Sequence, residues 1–355
     1  KRARSTRMRR TLVARSAQSV EALVDGVLLG DRGALGRAIT LVESSRRDDS
    51  VAADELLARV SRLNDRSRSF RVGVAGPPGA GKSTFVEALG MELISNHRVA
   101  VLAVDPSSAV RGGSILGDRT RMPQLAASKR AFVRPTPARG ALGGVAAQTH
   151  AVLGLCEAAG NDVILVESVG LGQSELGIDD CVDVVMLLQP PGAGDELQAI
   201  KAGVMEIADL IVITKADGDT KGLARRAAEA LRRATLHAPR QRYPSWRTRV
   251  LECSAITDAD SVRSVWESAL DFRESLGCDR STTAKLTGAL LEKRGRQQEL
   301  AAWDLARRRL LADFDTDTQL RGYFNAHLRA DLHAARSTPR NAARSLLCHY
   351  RQGAC

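Results

Sequence analysis

Aromatic residues make up only 3% of this 355-residue chain, so the stacking platforms that read nucleic-acid bases are scarce. No apolar stretch approaches the 18 or so residues that a helix needs to cross a bilayer. The longest, Ile207 to Ile213, is short and contains Asp209, so a membrane-spanning helix is excluded. The six cysteines, Cys156, Cys181, Cys253, Cys278, Cys348 and Cys355, form no CxxC pair. That pattern disfavours zinc sites and disulfide frameworks, and it implies free thiols in a reducing compartment. The six histidines never fall at HxxxH or HExxH spacing, which removes the common helical metal sites.

The net charge of +11 suggests a polyanion partner only until it is located. Lys1, Arg2, Arg4, Arg7, Arg9, Arg10 and Arg15 carry most of it, and no acid lies among the first 20 residues. Charge gathered in a tail says little about what the folded body binds, and no nucleic-acid partner is expected. Residues 1–18 read either as the remnant of a mitochondrial transit segment or as a plain basic tail. A chain opening at Lys1 reads as lacking its natural start. The matrix is the expected compartment for a eukaryotic source, and the cytoplasm for a bacterial one.

What is present is ordinary globular composition, 44% hydrophobic and 26% charged. Residues 19–66 carry apolar positions at helical spacing: Val20, Leu23, Val24, Val27, then Leu35, Ala38, Ile39, then Leu56, Leu57, Val60. From 67 to 280 short β-branched runs alternate with helical stretches: Arg71–Ala75, Val99–Val104, Val163–Val166, Val182–Leu188, Leu210–Ile213 and Val250–Glu252. Continuous apolar runs suit strands buried on both faces, so the expected fold is α/β with a mostly parallel sheet flanked by helices. Residues 281–355 read as a helical arm, with Thr338-Pro339 opening its last helix. Periodicity leaves open whether the arm packs on a second subunit or on its own domain.

The strongest motif follows the first strand. Gly76, Pro77, Pro78, Gly79, Ala80, Gly81, Lys82, Ser83 and Thr84 match GxxxxGK[ST]. Glycines let successive N–H groups turn inward toward phosphates, and the next helix points its N-terminus at the same place. Lys82 would bridge β- and γ-phosphates, and Ser83 would ligate Mg²⁺. This makes the chain a P-loop NTPase. Thr214, Lys215 and Asp217 follow the strand Leu210–Ile213 and resemble the [NT]KxD element of GTPases. Asp217 can accept from guanine N1–H and the 2-amino group, whereas adenine offers neither donor. Ser254, Ala255 and Ile256 form the matching second base loop. Asp105 and Glu167 end strands, and Asp118 lies in a glycine-rich stretch. These acids are candidates for work on Mg²⁺ and water beside the phosphates. The Gly170 amide is placed to meet a γ-phosphate.

Several segments resemble one family: Val104-Asp105-Pro-Ser-Ser108, Gly112-Gly-Ser-Ile-Leu-Gly-Asp-Arg-Thr-Arg-Met122, Arg139-Gly-Ala-Leu-Gly-Gly144, Glu167-Ser-Val-Gly-Leu-Gly-Gln-Ser-Glu175 and Pro191-Gly-Ala-Gly-Asp-Glu-Leu-Gln-Ala-Ile-Lys201. The likeness is to the methylmalonyl-CoA mutase-associated GTPases, MeaB-type, also called ArgK, and it spans nearly all but the basic tail. It implies a homodimeric GTPase with a C-terminal dimerisation arm. Such a protein gates loading of an adenosylcobalamin-dependent mutase and protects it, without holding cobalamin tightly itself. It further implies that Asp105, Asp118 and Glu167 serve the Mg²⁺ and water network. Lys201 would lie in a switch loop and Arg121 would be a nearby cationic stabiliser. From composition alone Lys201 is a solvated helix lysine. Two departures from the family pattern are Arg119, where Lys is usual, and Thr214 for Asn. The Thr214 change predicts a weaker brace on the base loop. Other readings of the same motifs are a nickel-type metallochaperone GTPase and a nucleotide-dependent scaffold.

Overall fold

The computed structural model describes residues 19–44, 46–63, 69–105, 121–137, 144–168, 176–192, 206–236 and 242–353. Seven parallel strands form one sheet in the order β3-β2-β4-β1-β5-β6-β7. They are β1 (Phe70–Ala75), β2 (Val99–Asp105), β3 (Ala131–Pro137), β4 (Val163–Ser168), β5 (Val184–Gln189), β6 (Leu210–Ile213) and β7 (Arg249–Glu252). Every residue of β1, β4, β5 and β6 is buried, as continuous apolar runs require.

Strand alternation sends residues to two separate cores. One face receives Gly73, Ala75, Ile164 and Val166, covered by α1 (residues 19–28), α2 (Arg32–Val42), α3 (Arg47–Leu63), α6 (Gly144–Ala158) and α7 (Lys221–Leu236). The other receives Val72, Val74 and Leu165 against α4 (Lys82–Leu93), the short α5 (Pro123–Ala127) and α8 (Ala259–Ser275). There Phe70, Phe85 and Phe272 are fully enclosed. The helical lead-in is thus one wall of the first core, through Val20, Val24, Ile39, Leu56 and Val60. Asp31 separates α1 from α2 by capping the latter, its carboxylate accepting the Ala34 N–H.

Strand β3 is the element that hydrophobic patterning misses. Its sequence, AFVRPTP, holds two prolines. Prolines remove ladder donors and are tolerated because β3 is an edge strand, paired only with β2. Strand β5 starts at Val184 rather than Val182, because the Asp183 carboxylate takes the Arg71 N–H at 2.9 Å.

The described residues form two compact units, one up to Leu300 and one from Ala301. Helix α9 (Gly288–Thr316) begins in the first and ends in the second. The second unit adds α10 (Thr318–Tyr323), a π-turn at Phe324–Leu328, α11 (Arg329–His333) and α12 (Pro339–Gly353). Thr338 Oγ1 accepts the Asn341 N–H at 3.2 Å, capping α12. Within this unit Phe314 meets Tyr350 edge-on and Tyr323 stacks on His349.

At the N-terminal ends of β1 and β5 lies a buried ionic cluster. Arg71 grips Glu157 with two bonds of 2.9 Å. Arg294 of α9 grips Asp183 at 2.7 and 2.6 Å, reaches Glu157 at 3.1 Å and donates to the Ser69 carbonyl at 2.8 Å. Burial alone would raise both carboxyls. The guanidiniums of Arg71 and Arg294 outweigh it and hold Glu157 and Asp183 below their usual range. Burial also pushes the thiols of Cys156, Cys181 and Cys253 up, the last to about 11, which keeps them unreactive.

Removing one partner from such a cluster strands the others. Arg294→Met is therefore expected to cost about 3–5 kcal/mol in urea unfolding. Asp209 behaves oppositely: burial pushes its carboxyl up to about 6, despite Arg242 at 3.8 Å and the Val185 N–H it accepts. The folded state then holds this proton more tightly than the unfolded chain. The contribution is complete below the unfolded pKa and is lost as pH rises through 6. Relative to wild type, Asp209→Asn should gain up to about 3 kcal/mol between pH 4 and pH 7.5, read by urea titration at both values.

Candidate functional site

The motifs gather at the carboxyl edge of the sheet, where ligands bind in open α/β folds. Gly76 leaves β1 at φ 146°, and a Cβ there would stand 2.3 Å from the Leu188 carbonyl oxygen of β5. Only glycine permits this approach. Gly79 and Gly81 hold φ 82°, and Gly81 caps α4. The backbone thus curls ahead of a helix N-terminus, whose partial positive charge favours anions. Pro78, Gly79 and Thr84 are exposed, Pro77 is half-buried and Ala80 is buried. Lys82 is buried, and its Nζ donates to the carbonyls of Gly76 at 2.7 Å and Pro77 at 3.0 Å.

Ser83 opens α4 with its hydroxyl donating to Glu167 Oε1 at 2.7 Å. Glu167 sits near the end of β4, paired in register with Val74 of β1 and Ala103 of β2. Asp105 ends β2, aligned with Pro137 of β3. Arg121 is exposed ahead of α5 and makes no hydrogen bond to the other described site residues. Asp118, Gly170 and Lys201 lie outside the described residues, as does the side chain of Asp105.

The base loops are more closely knit than their spacing suggests. Thr214 is buried, and its Oγ1 lies 2.7 Å from the Ala80 carbonyl and 3.2 Å from that of Gln189. The threonine hydroxyl thus ties the base loop to the phosphate loop. Lys215 takes φ 54°, and Thr220 Oγ1 closes the turn on the carbonyls of Lys215 and Asp217. The Asp217 carboxylate receives the Ser254 hydroxyl, and Thr257 Oγ1 at 3.2 Å, on one oxygen, Oδ2. Ala255 is half-buried and Ile256 is 82% exposed beside it. Thr220 and Thr257 are absent from the motif reading. Their signal was a threonine three residues beyond Asp217 and Ser254, the usual reach of a hydroxyl closing a local turn.

A glycine cradle on a helix N-terminus, a buried lysine, a serine on a carboxylate and an oriented aspartate one braced loop away make up the candidate nucleotide site. A family description, methylmalonyl-CoA mutase-associated GTPase MeaB, matches residues 35–319. The chain belongs to this MeaB family. Mouse methylmalonic aciduria type A homolog, a mitochondrial protein, is 42% identical over 311 residues, covering 85% of this chain and 72% of the mouse protein. Escherichia coli GTPase ArgK is 47% identical over 251 residues, covering 70% and 74%. The crystal structure of a LAO/AO transport system kinase superposes with a TM-score of 0.69 at 32% identity, over 94% of this chain and 98% of that one. By family and fold the chain is thus a P-loop GTPase.

Asp217→Asn replaces an acceptor by an amide that can also donate, which suits xanthine's O2 better than guanine's 2-amino group. GDP affinity should fall by about 100-fold and xanthosine diphosphate should become the better ligand, both read by calorimetric titration.

Proposed function

We propose that this MeaB-family protein hydrolyses GTP to gate adenosylcobalamin loading of methylmalonyl-CoA mutase, or of a related acyl-CoA mutase, and to protect that enzyme. The observation that carries the nucleotide part is the Thr214 brace between phosphate and base loops, together with the Asp217 carboxylate oriented by Ser254. The mutase part is supported by the family's description and by the likeness to the mouse methylmalonic aciduria type A homolog.

In this reading residues 67–280 bind and turn over the nucleotide, and Lys82 neutralises charge between the β- and γ-phosphates. Ser83 and Glu167 supply hard oxygen donors side by side, 2.7 Å apart, with Asp105 at the end of β2. That donor set fits Mg²⁺, which keeps several waters and takes phosphate oxygens. Bound there, the ion would offset charge on the transferring phosphoryl group. Asp118 joins this network, Gly170 meets the γ-phosphate, and Arg121 and Lys201 stabilise charge as the transition state develops. The motifs offer no residue preset as a strong base, and turnover is slow until a partner completes the site.

The arm, residues 281–355, is assigned to homodimer formation. In the unit from Ala301, Trp303 is 67% exposed, and Leu310, Leu311 and Leu347 are also bare. Trp303, Leu310 and Leu311 stand seven and eight residues apart on α9, the spacing of one helix face, and such a stripe suits an interface. No helix among the described residues is long and apolar enough to cross a membrane.

GTP hydrolysis measured with and without the mutase from the same source tests the proposal. The rate is expected to rise about tenfold or more with stoichiometric mutase, within the range seen when a partner completes a GTPase site. A rate indifferent to the mutase would contradict the gating role while leaving the nucleotide assignment standing.

A further inference from the structure

The loop after β7 runs directly into α8 and is anchored to it. Asp258 caps α8 by accepting the Ser261 N–H at 3.1 Å. Ser261 Oγ in turn accepts the Ser254 N–H at 3.1 Å, and the Asp258 N–H donates to the Ser254 carbonyl at 3.2 Å. Residues 254–257 are thereby pinned to the first turn of a helix whose Val262, Val265 and Trp266 lie in the second core. Thr257, directly before the cap, has its position set by that helix.

Its bonds all go toward the base-reading carboxylate. The Thr257 N–H donates to Ser254 Oγ at 3.2 Å, and Thr257 Oγ1 lies 2.8 Å from Ser254 Oγ and 3.2 Å from Asp217 Oδ2. A carboxylate accepts hydrogen bonds and donates none, and a serine hydroxyl has one proton and two lone pairs. The Ser254 proton therefore goes to Asp217 Oδ2, while the N–H and O–H of Thr257 fill the lone pairs of Ser254 Oγ. With both lone pairs taken, the Ser254 proton has one direction left, toward the aspartate. A base donor arriving at Oδ2 displaces no bond outright, because the Thr257 proton has Ser254 Oγ to go to. Among the described residues no donor reaches the other carboxylate oxygen, Oδ1.

This arrangement matters for one feature of a base. Guanine presents N1–H and the 2-amino group side by side, so both oxygens of Asp217 must lie in the plane of the ring. The torsion that sets this plane, χ2 of the aspartate, is soft and lacks sharply staggered wells. Donors approach a carboxylate oxygen near its own plane, so a fixed Ser254 hydroxyl with Thr257 beside it orients the whole group. A base that offers N1–H alone needs one oxygen and tolerates a swing. The backbone of Asp217 is held independently, by Thr220 Oγ1 on its carbonyl at 2.8 Å.

We infer that Thr257 is a positioning residue for recognition of guanine's 2-amino group. It acts through Ser254 and Asp217, fixing the plane in which the carboxylate meets two donors at once. This rests on the guanine reading of the site. It goes beyond that reading by giving the discrimination of guanine from hypoxanthine to a residue outside the base-loop motifs.

Calorimetric titration of the full chain with GDP and with inosine diphosphate, which lacks the 2-amino group, decides it. Wild type should prefer GDP by about tenfold or more. Thr257→Val should weaken GDP binding about fivefold while inosine diphosphate stays within twofold, so that most of the preference is lost. Thr257→Ser, which returns a hydroxyl to the same place, should recover GDP affinity to within twofold of wild type. Thr257 is exposed, so the valine variant should fold, and Thr257→Ala serves in its place if it does not. A merely structural role would weaken both nucleotides alike and leave their ratio unchanged. An unchanged ratio in the valine or alanine variant, or a serine variant that matches them, overturns the inference and leaves the guanine reading standing. A wild type that prefers ADP to GDP, read in the same titration, overturns the guanine reading and the inference with it.

Discussion

The closeness of Gly76 to the Leu188 carbonyl is the constraint from which the site follows. Strand β1 lies between β4 and β5, so the chain leaving it must turn over the end of β5 with no side chain in the way. Once it does, Ala80 falls within reach of Thr214 at the end of β6, and Ser83 falls beside Glu167 at the end of β4. Phosphate loop, base loop and the carboxylate at the end of β4 are then fixed relative to one another by the four consecutive strands β4-β1-β5-β6. Among the described residues, Ser83, Glu167 and Thr214 lie at or next to strand ends and a helix start, an arrangement that keeps geometry when a ligand arrives.

The opposite end of the sheet is stabilised differently. There the chain buries Arg71, Arg294, Glu157 and Asp183 together, an arrangement whose desolvation cost is recovered only because nearly every charge has two partners. Ionic clusters of this kind specify geometry more than they add stability. Here the geometry specified is the seat of α9 on the sheet. One edge of the sheet thus carries nucleotide chemistry, and the other carries the attachment of the helix that runs on to the second unit.

The parts of this organisation legible in the sequence are those with local spacing. The GxxxxGK[ST] run, the TKxD turn and the Ser254 loop each lie within a few residues, and six strands were visible as apolar runs. Strand β3 was hidden by Pro135 and Pro137, which an edge position tolerates and a central one would not. The Thr214 hydroxyl lies 2.7 Å from the Ala80 carbonyl, a bond that only the packing of β6 against the loop reveals. Thr257 could have been read from its place three residues after Ser254. The pairs Arg71–Glu157, Arg294–Asp183 and Lys293–Asp179 join residues far apart in the chain, and no local pattern announces them. Asp118, Gly170 and Lys201 rest on motif resemblance, since they lie outside the described residues.

The central claim is that two loops, one shaped for phosphates and one for guanine, are braced into a single site. Calorimetric titration with GDP and with ADP, each in the presence of Mg²⁺, tests it most directly. The account predicts that GDP binds at least about 100-fold more tightly than ADP, because adenine offers the Asp217 carboxylate neither of the two donors that guanine offers. Equal affinities, or preference for ADP, would contradict it.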